Sequence, residues 1–554
     1  MVDSLEPPTE RSGLLPHPNE DPTSDPTAVL EETKASRTTL IGSYIGICFL
    51  LAVAASLVMH TTGINSKLRM ESTLLEQKRK QYHQFPSDFV WGAATSSYQI
   101  EGAAYEDGKG LSIWDTFTKK NGTILDGSSG DVACDHYHRM KEDVQLMKGL
   151  NIKAYRFSIA WTRIFPDGTG EINLPGVVFY NRLIDTLLEN DIEPWITLYH
   201  WDLPQALEDE YGGWLSPQIV DDFGTYAKTC FALFGDRVQK WITINEAWTV
   251  AVQGYQDGSK APGKNDNPSL DVYLAAHHLI LAHARAANIY HETYAPTQNG
   301  IIGISNCGDF RIPKTPSDTL AAERAMIFQY AWMTDPFFFG DYPAEMKDVL
   351  QDRLPKFTSE QRKELEGSCD FMGLNHYSTM YVQEPEEPRT PESEHWGYWA
   401  DMHVTFSSDP HWHKNYMGWS TNPDGCRELL LWINNRYNNH KEADKVTPIY
   451  ITENGTAEKE PDLATALRDE WRRRFFEGTL RACAEAIEMG IPLEGYFAWS
   501  LMDNFEWSFG YTKRFGLCYV DFETLERTPK SSALWYSQAI RADGTNIIRT
   551  QVGL

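Results

Sequence analysis

Two short stretches of the chain each end an apolar run on a glutamate. In "TPIYITENGT" (447–456) the run Ile449, Tyr450, Ile451 and Thr452 stops at Glu453. In "WITINEAW" (241–248) a similar run stops at Asn245 and Glu246. Strands end where polarity begins, so a single glutamate in this position reads as a surface residue. Two of them read differently, because a strand end also holds a carboxylate rigidly at the rim of a sheet. A facing pair can divide the work of breaking an acetal bond. One carboxyl protonates the departing oxygen while the other attacks the anomeric carbon or activates water, and their separation sets the stereochemical course. Barrels of many chemistries carry acids at strand ends, so the pair alone leaves the reaction open.

The elements that must hold such a pair are visible in the hydrophobic pattern. Eight short apolar runs alternate with helical stretches: 88–96, 153–161, 193–201, 239–247, 300–308, 370–378, 447–455 and 493–501. Tyr137, Met140, Val144 and Met147 mark one helical face, and Tyr180, Ile184, Leu187 and Leu188 another. Near-continuous apolar strands alternating with helices imply a parallel sheet covered on its outer face. The count predicts an α/β fold, an enlarged (β/α)8 TIM barrel, whose functional groups gather at the C-terminal ends of the strands. A doubly wound open sheet is the alternative, but no Gly-rich phosphate fingerprint follows the first strand. Glu246 and Glu453 would then end strands four and seven.

The 554 residues carry a net charge of −27 and a sequence pI near 5.0, which argues against binding to nucleic acid or an anionic membrane through bulk charge. The hydrophobic fraction of 42% supports a large core, and the 12% aromatic content suits a cleft for flat apolar faces, including the C–H faces of sugars. Seven cysteines besides Cys48 are widely spaced and form no CxxC pair, so neither a disulfide framework nor a zinc site is expected. No motif points to a metal or an organic cofactor.

Residues 40–59, "LIGSYIGICFLLAVAASLVM", carry no charge over a length that crosses a hydrocarbon core of ~30 Å. A cleaved signal peptide is the competing reading, but 39 residues precede the segment and it exceeds a usual signal core. The expected organisation is a disordered tail (1–39), a transmembrane helix (40–59), a stem (60–84), a barrel (85–545) and a C-terminal tail (546–554). Lys34 and Arg37 flank one side of the segment, and Lys67, Arg69 and Lys78–Arg79–Lys80 the other, so flanking charge does not orient it. A single-pass signal anchor places the following domain in the lumen or outside the cell, where the sequon at Asn121 would be glycosylated. A second sequon at Asn454 is expected to be buried.

Five longer motifs now carry a resemblance. "TINEAW" and "YITENGT" resemble the two active-site signatures of glycoside hydrolase family 1, the β-glucosidase family. "FVWGAATSSYQIEGA" (89–103), "LYHWDLPQAL" (198–207) and "YFAWSLMDNFEWSFGYTKRFGLCYVDF" (496–522) resemble its N-terminal signature, third-strand segment and C-terminal block, in the family's order. The resemblance implies a retaining double displacement on a small-molecule β-glycoside, with Glu453 as nucleophile, Glu246 as acid/base, and Arg156 and Tyr377 as hydrogen-bond partners of the nucleophile. It further implies sugar contacts from Gln99, His200, Asn245, Asn375, Glu506 and Trp507. Trp499 would be a stacking platform and Trp248 a floor of the aglycone site. Glu506 stands where phospho-glycosidases of the family differ, which implies a non-phosphorylated sugar, glucosyl first and galactosyl or fucosyl beside it. Ala247 departs from the family's usual proline after the acid/base. A transglycosylase of the galactolipid-remodelling kind would use the same two glutamates. A silent Klotho-like binding protein would usually lack one of them. The aromatic-rich segment 381–425 either walls the aglycone site or packs on itself.

Overall fold

The computed structural model describes residues 42–62, 64, 67, 83–387, 397–439, 441–442 and 445–547. The expected tail 1–39, residues 40–41, most of the stem, residues 388–396 and the C-terminal residues 548–554 lie outside the described residues. Two compact units divide the chain, Met1–Lys78 and Arg79–Leu554. In the first, the helix Gly42–Thr62 is 21 residues long and apolar enough to cross a membrane, and none of its most apolar stretch is buried.

The second unit is built on eight parallel strands: β1 (Val90–Ala94), β2 (Ala154–Ser158), β3 (Glu193–Tyr199), β4 (Lys240–Asn245), β5 (Ile301–Cys307), β6 (Phe371–Asn375), β7 (Ile449–Asn454) and β8 (Leu493–Trp499). Each pairs with its sequence neighbours, and β1 closes onto β8 with Ala94 opposite Trp499. The fold is therefore a closed (β/α)8 barrel. The returning helices include His136–Gly149, Leu174–Leu188, Gln218–Phe234, Asp271–Ile289, Asp424–Tyr437, Glu470–Glu488 and Ser531–Arg541. Their apolar faces pack on the outer side of the strands. Met140, Val144, Met147, Tyr180, Ile184 and Leu187 are buried as their spacing predicts. Leu188, expected on the same face, is 40% exposed because its helix ends there.

Inside the barrel, aromatic rings fill the lower half. Trp195 of β3 lies 4.8 Å from Tyr450 of β7 and 5.1 Å from Phe497 of β8, and Phe371 of β6 meets Tyr450 edge-on at 5.4 Å. These rings come from strands that are not all neighbours, so their side chains point inward. Gly92 of β1 makes room for them, since a Cβ there would stand 2.3 Å from the Phe497 ring. This plug forms a rigid floor, and the polar residues one layer higher form the site.

Candidate active site

The inward positions of β2, β6 and β8 follow the simple two-residue alternation of a strand. Ala154 and Phe371 sit in the aromatic plug, and Arg156 and Asn375 follow them upward on the same face. The two strands that end in glutamate do not. Tyr450 points inward, so strict alternation would turn Glu453, three residues on, toward the helices. Ile242 belongs to the plug and Asn245 meets the same parity problem. Both strands break register at this point, β7 between Ile451 and Asn454 and β4 between Ile242 and Asn245. An irregularity of this kind re-aims the following side chains, and it brings Asn245 and Glu453 into the barrel mouth. Beyond Glu453 the backbone runs so close to β8 that a Cβ on Gly455 would lie 1.8 Å from the Trp499 carbonyl oxygen. Only glycine fits there.

Glu453 is 3% exposed and receives two strong donors. Arg156 Nη1 donates to its Oε1 at 2.6 Å, and the Tyr377 hydroxyl donates to its Oε2 at 2.6 Å. Arg156 is itself fixed by Thr197 Oγ1 at 3.1 Å, the Thr452 carbonyl at 3.0 Å and Asn245 Oδ1 at 2.7 Å. Glu246 is 8% exposed, and its backbone lies in the left-handed region at φ +50°, with its N–H bonded to the Ser305 carbonyl at 2.7 Å. Such a conformation costs on the order of 1 kcal/mol and persists where surrounding bonds impose it. Asn375 Nδ2 donates to Glu246 Oε1 at 2.8 Å and also to Asn245 Oδ1 at 3.0 Å. The two carboxyls are thus joined through Arg156, Asn245 and Asn375. The Thr249 hydroxyl donates to Glu246 Oε2 at 2.6 Å from one turn along the helix Ala247–Tyr255. Ala247 opens that helix at its first position, where a proline is tolerated but not required.

Burial is the largest influence on both carboxyls and raises both. It lifts Glu453 to about 7, against the pull of the Arg156 guanidinium and with the push of Glu246. It also raises Glu246, against hydrogen bonds from Thr249 and Asn375. Two coupled carboxyls resist carrying two charges, so they hold one proton between them. The donors decide where it rests. Glu453 meets a guanidinium and a phenol, which fit an ionised acceptor. Glu246 meets no guanidinium, and the Thr249 hydroxyl can reverse to accept its proton because Cys307 Sγ lies 3.6 Å beyond. The donor pattern thus favours the charge on Glu453 and the proton on Glu246.

A cavity of about 490 Å³ opens above the pair. His200, Asn245, Glu246, Trp248, Asn375, Tyr377, Glu453, Trp499, Glu506 and Trp507 all line it. Arg156 stands beneath Glu453 and does not. Gln99 is also outside the wall. Its amide nitrogen donates to Asn504 Oδ1 at 2.9 Å and the Phe505 carbonyl at 3.0 Å, so it braces the loop that carries Glu506. Asn245 Nδ2 donates to His200 Nε2 at 3.0 Å, and burial holds the His200 imidazole well below its usual range, hence neutral. Its proton then sits on Nδ1, a buried donor with no partner among the described residues. Trp499 lies nearly parallel to His200, with ring centroids 5.8 Å apart. Burial also lifts Glu506 to about 7, with Lys260 opposing and Glu453 and Glu246 adding to the rise.

The segment 381–425 does both things expected of it as alternatives. Tyr381 and Trp412 stack on each other at 5.1 Å, while Tyr398, Trp399, Met402, Phe406, Met417 and Trp419 line the outer cavity. Asn121 lies exposed on a turn, whereas Asn454 is fully buried and accepts a hydrogen bond from the Tyr496 hydroxyl at 2.6 Å. Sequence reasoning did not single out Thr249, Lys260, Trp201 or Arg311, all of which line the cavity. Thr249 was within reach, since a residue three positions beyond Glu246 falls on the same helical face. The others come from loops and from a short strand outside the barrel, where no periodicity marks them.

A closed parallel barrel presents two buried, hydrogen-bonded glutamates, at the ends of its fourth and seventh strands, to one cavity, the arrangement of a barrel enzyme with paired carboxyls. The sequence profile described as Glycosyl hydrolase family 1 matches residues 81–545, and the chain belongs to that family. It is a glycosidase. It is 47% identical over 472 residues to Beta-glucosidase 42 of Arabidopsis thaliana, covering 83% of this chain and 95% of that protein. It is 46% identical over 476 residues to Beta-glucosidase 34 of Oryza sativa subsp. japonica, covering 82% and 92%. A solved rice β-glucosidase mutant in a covalent complex with Glc aligns with a TM-score of 0.79 at 45% identity, covering 82% of this chain and 98% of that one.

Proposed function

We propose that this chain is a retaining β-glucosidase acting on non-phosphorylated β-D-glucosides. The observation that carries the reading is the unequal treatment of two glutamates facing one cavity: Glu453 accepts from Arg156 and Tyr377, while Glu246 accepts only neutral donors. In the first step the Glu453 carboxylate attacks the anomeric carbon. The glycosidic C–O bond breaks, and Glu246 gives its proton to the leaving oxygen. The negative charge of Glu453 disappears into the glycosyl ester, so Glu246 is free to ionise. It then takes a proton from water as the water attacks the anomeric carbon, releasing glucose and restoring Glu453. His200 and Asn245 bring polar side chains to the cavity wall that would face the sugar, and Trp499 an aromatic one. The names of the relatives support glucose as the glycone, and Glu506 supports an unphosphorylated one.

Two measurements test this. Proton NMR during hydrolysis of an aryl β-glucoside should show the β-anomer of glucose first, with the α-anomer growing in only by mutarotation. A 2-deoxy-2-fluoro glucoside should add one sugar to a peptide containing Glu453. First appearance of the α-anomer would overturn the retaining reading. The β-galactosides and β-fucosides belong in the same panel as slower substrates, and a β-galactolipid should yield free galactose in preference to oligogalactolipid.

We also propose that the helix Gly42–Thr62 anchors the chain and that the barrel lies on the luminal or extracellular side. Its unburied apolar surface supports this, as does the exposed sequon at Asn121. The protein should stay in the membrane through a carbonate wash, and Asn121→Gln should remove a glycan. Release by carbonate would refute the anchor, and an unchanged mass would refute the assigned side.

A further inference from the structure

One cation in the cavity has no part in the chemistry above. Lys260 sits on the loop between the helices Ala247–Tyr255 and Asp271–Ile289. Its N–H donates to the Gln253 carbonyl at 3.0 Å, and the neighbouring Ser259 carbonyl accepts from the Ser508 hydroxyl at 2.6 Å. The loop is therefore tied to the segment that carries Glu506 and Trp507. The ammonium stands 4.6 Å from the Trp201 ring centroid and 5.8 Å from that of Trp507. It lines the same cavity as Glu246 and Glu506, and among the described residues it makes no hydrogen bond and no direct ion pair.

A lysine that merely packs its stem on an aromatic ring sends its head to water. Lys260 instead places its ammonium over the Trp201 and Trp507 rings in the cavity that Glu246 and Glu506 also line. Burial lowers its pKa to about 8, against Glu506 and then Glu246, which favour its charge. The charges of the pocket suggest what it holds. With the proton on Glu246, the carboxylates of Glu453 and Glu506 balance Arg156 and Lys260, and Asp309 balances Arg311. An anionic sugar would upset that balance, while a neutral hydroxyl would not. A hydroxyl also donates once and accepts up to twice, so one hydroxyl can satisfy an ammonium and a carboxylate together.

We propose that Lys260 is a substrate-contacting, specificity-determining residue of this cavity, donating to a neutral sugar hydroxyl that in turn donates to Glu506. The proposal rests on the glucosidase reading and adds a residue to it.

The test uses the full chain and its Lys260→Met and Lys260→Arg variants. The substrates are 4-nitrophenyl β-glucoside and a set of analogues each lacking one hydroxyl. Methionine can rest on the Trp201 and Trp507 rings, so the fold should survive, and thermal unfolding checks it. A hydrogen bond from a charged donor predicts that Lys260→Met lowers kcat/KM on the full glucoside by about tenfold to a hundredfold. On one deoxy analogue, the one missing the shared hydroxyl, the same substitution should cost less than about threefold, because groups that touch are not additive. Arginine should restore part of the loss. The pH profile gives an independent reading. The titratable groups electrostatically linked to Lys260 are Glu506, Glu246 and His200. A cation lowers a neighbouring carboxyl, so removing it lets Glu246 keep its proton to higher pH. The alkaline limb should therefore move upward in Lys260→Met and stay in place in Lys260→Arg. An equal loss on every deoxy analogue, with an unmoved limb, would overturn the proposal. A wild-type chain inert toward all aryl β-glucosides would instead overturn the glucosidase reading beneath it.

Discussion

Glu453→Gly removes hydrolysis of aryl β-glucosides, and azide or formate restores part of it. The expected loss is roughly 10⁵- to 10⁶-fold, the scale seen when a covalent nucleophile is deleted. Glycine empties a space walled by the Arg156 guanidinium and the Tyr377 hydroxyl, the two groups that donate to the carboxylate. A small anion can settle on the same donors and attack the anomeric carbon from the side that the carboxylate occupied. With azide the product is then the α-glucosyl azide, formed in one displacement while Glu246 still protonates the leaving group. The substitution also strands a buried cation, although Arg156 keeps Thr197, the Thr452 carbonyl and Asn245 as partners. Losing one partner of a buried pair typically costs about 3–5 kcal/mol, so the variant should melt earlier. Azide should raise its Tm and leave the wild type unchanged, since binding to the folded state alone stabilises it. Residual activity within tenfold of wild type, or rescue that yields no glycosyl azide, would remove Glu453 from the nucleophile's position.

The eight strands were legible because a strand buried on both faces has to be apolar along its length, and each quoted run contains one. Strand parity was not. A reader who takes Tyr450 as inward must turn Glu453 outward, and the same holds for Ile242 and Asn245. The register breaks that correct both arise from pairing with neighbouring strands, which a single sequence does not display. The two glutamates were found all the same, as the polar ends of two apolar runs, and the resemblance of the motifs around them supplied their expected roles. Helix faces were readable except at their ends, where Leu188 follows the period but outlasts the packing partner. Loop residues fared worst. Lys260 lies in "QDGSKAPG", a stretch with every mark of a turn, and only three-dimensional closure brings it beside Trp201 and Glu506. The long segment after β6 resisted for a related reason. Its aromatics serve two surfaces at once, and which ring faces which surface depends on contacts far away in sequence, such as Trp399 with Trp248 at 5.9 Å.

Glu246→Ala should divide substrates by their leaving group. General acid assistance contributes about 10²- to 10⁴-fold where the departing oxygen needs a proton, so alkyl glucosides and weakly acidic phenols should lose that factor. A dinitrophenyl glucoside leaves as a stable anion without help, and its first step should slow by less than about tenfold. The second step still needs a base to take the proton from water, so the glycosyl ester on Glu453 should accumulate and give a burst of dinitrophenol. Azide should relieve that block by attacking the ester without general base help. The product is then the β-glucosyl azide, opposite in configuration to that from Glu453→Gly. The two variants thus report on the two faces of the same carbon. The pH profile adds a third criterion. Burial raises Glu246, and the group must hold its proton in the first step, so wild-type activity falls as pH rises through its ionisation. Without the group that alkaline limb has no origin and should flatten for the dinitrophenyl substrate. Equal losses for good and poor leaving groups, with the limb intact, would place the proton donor elsewhere. Lys260 would then be a candidate for the limb, because burial lowers its ammonium to about 8.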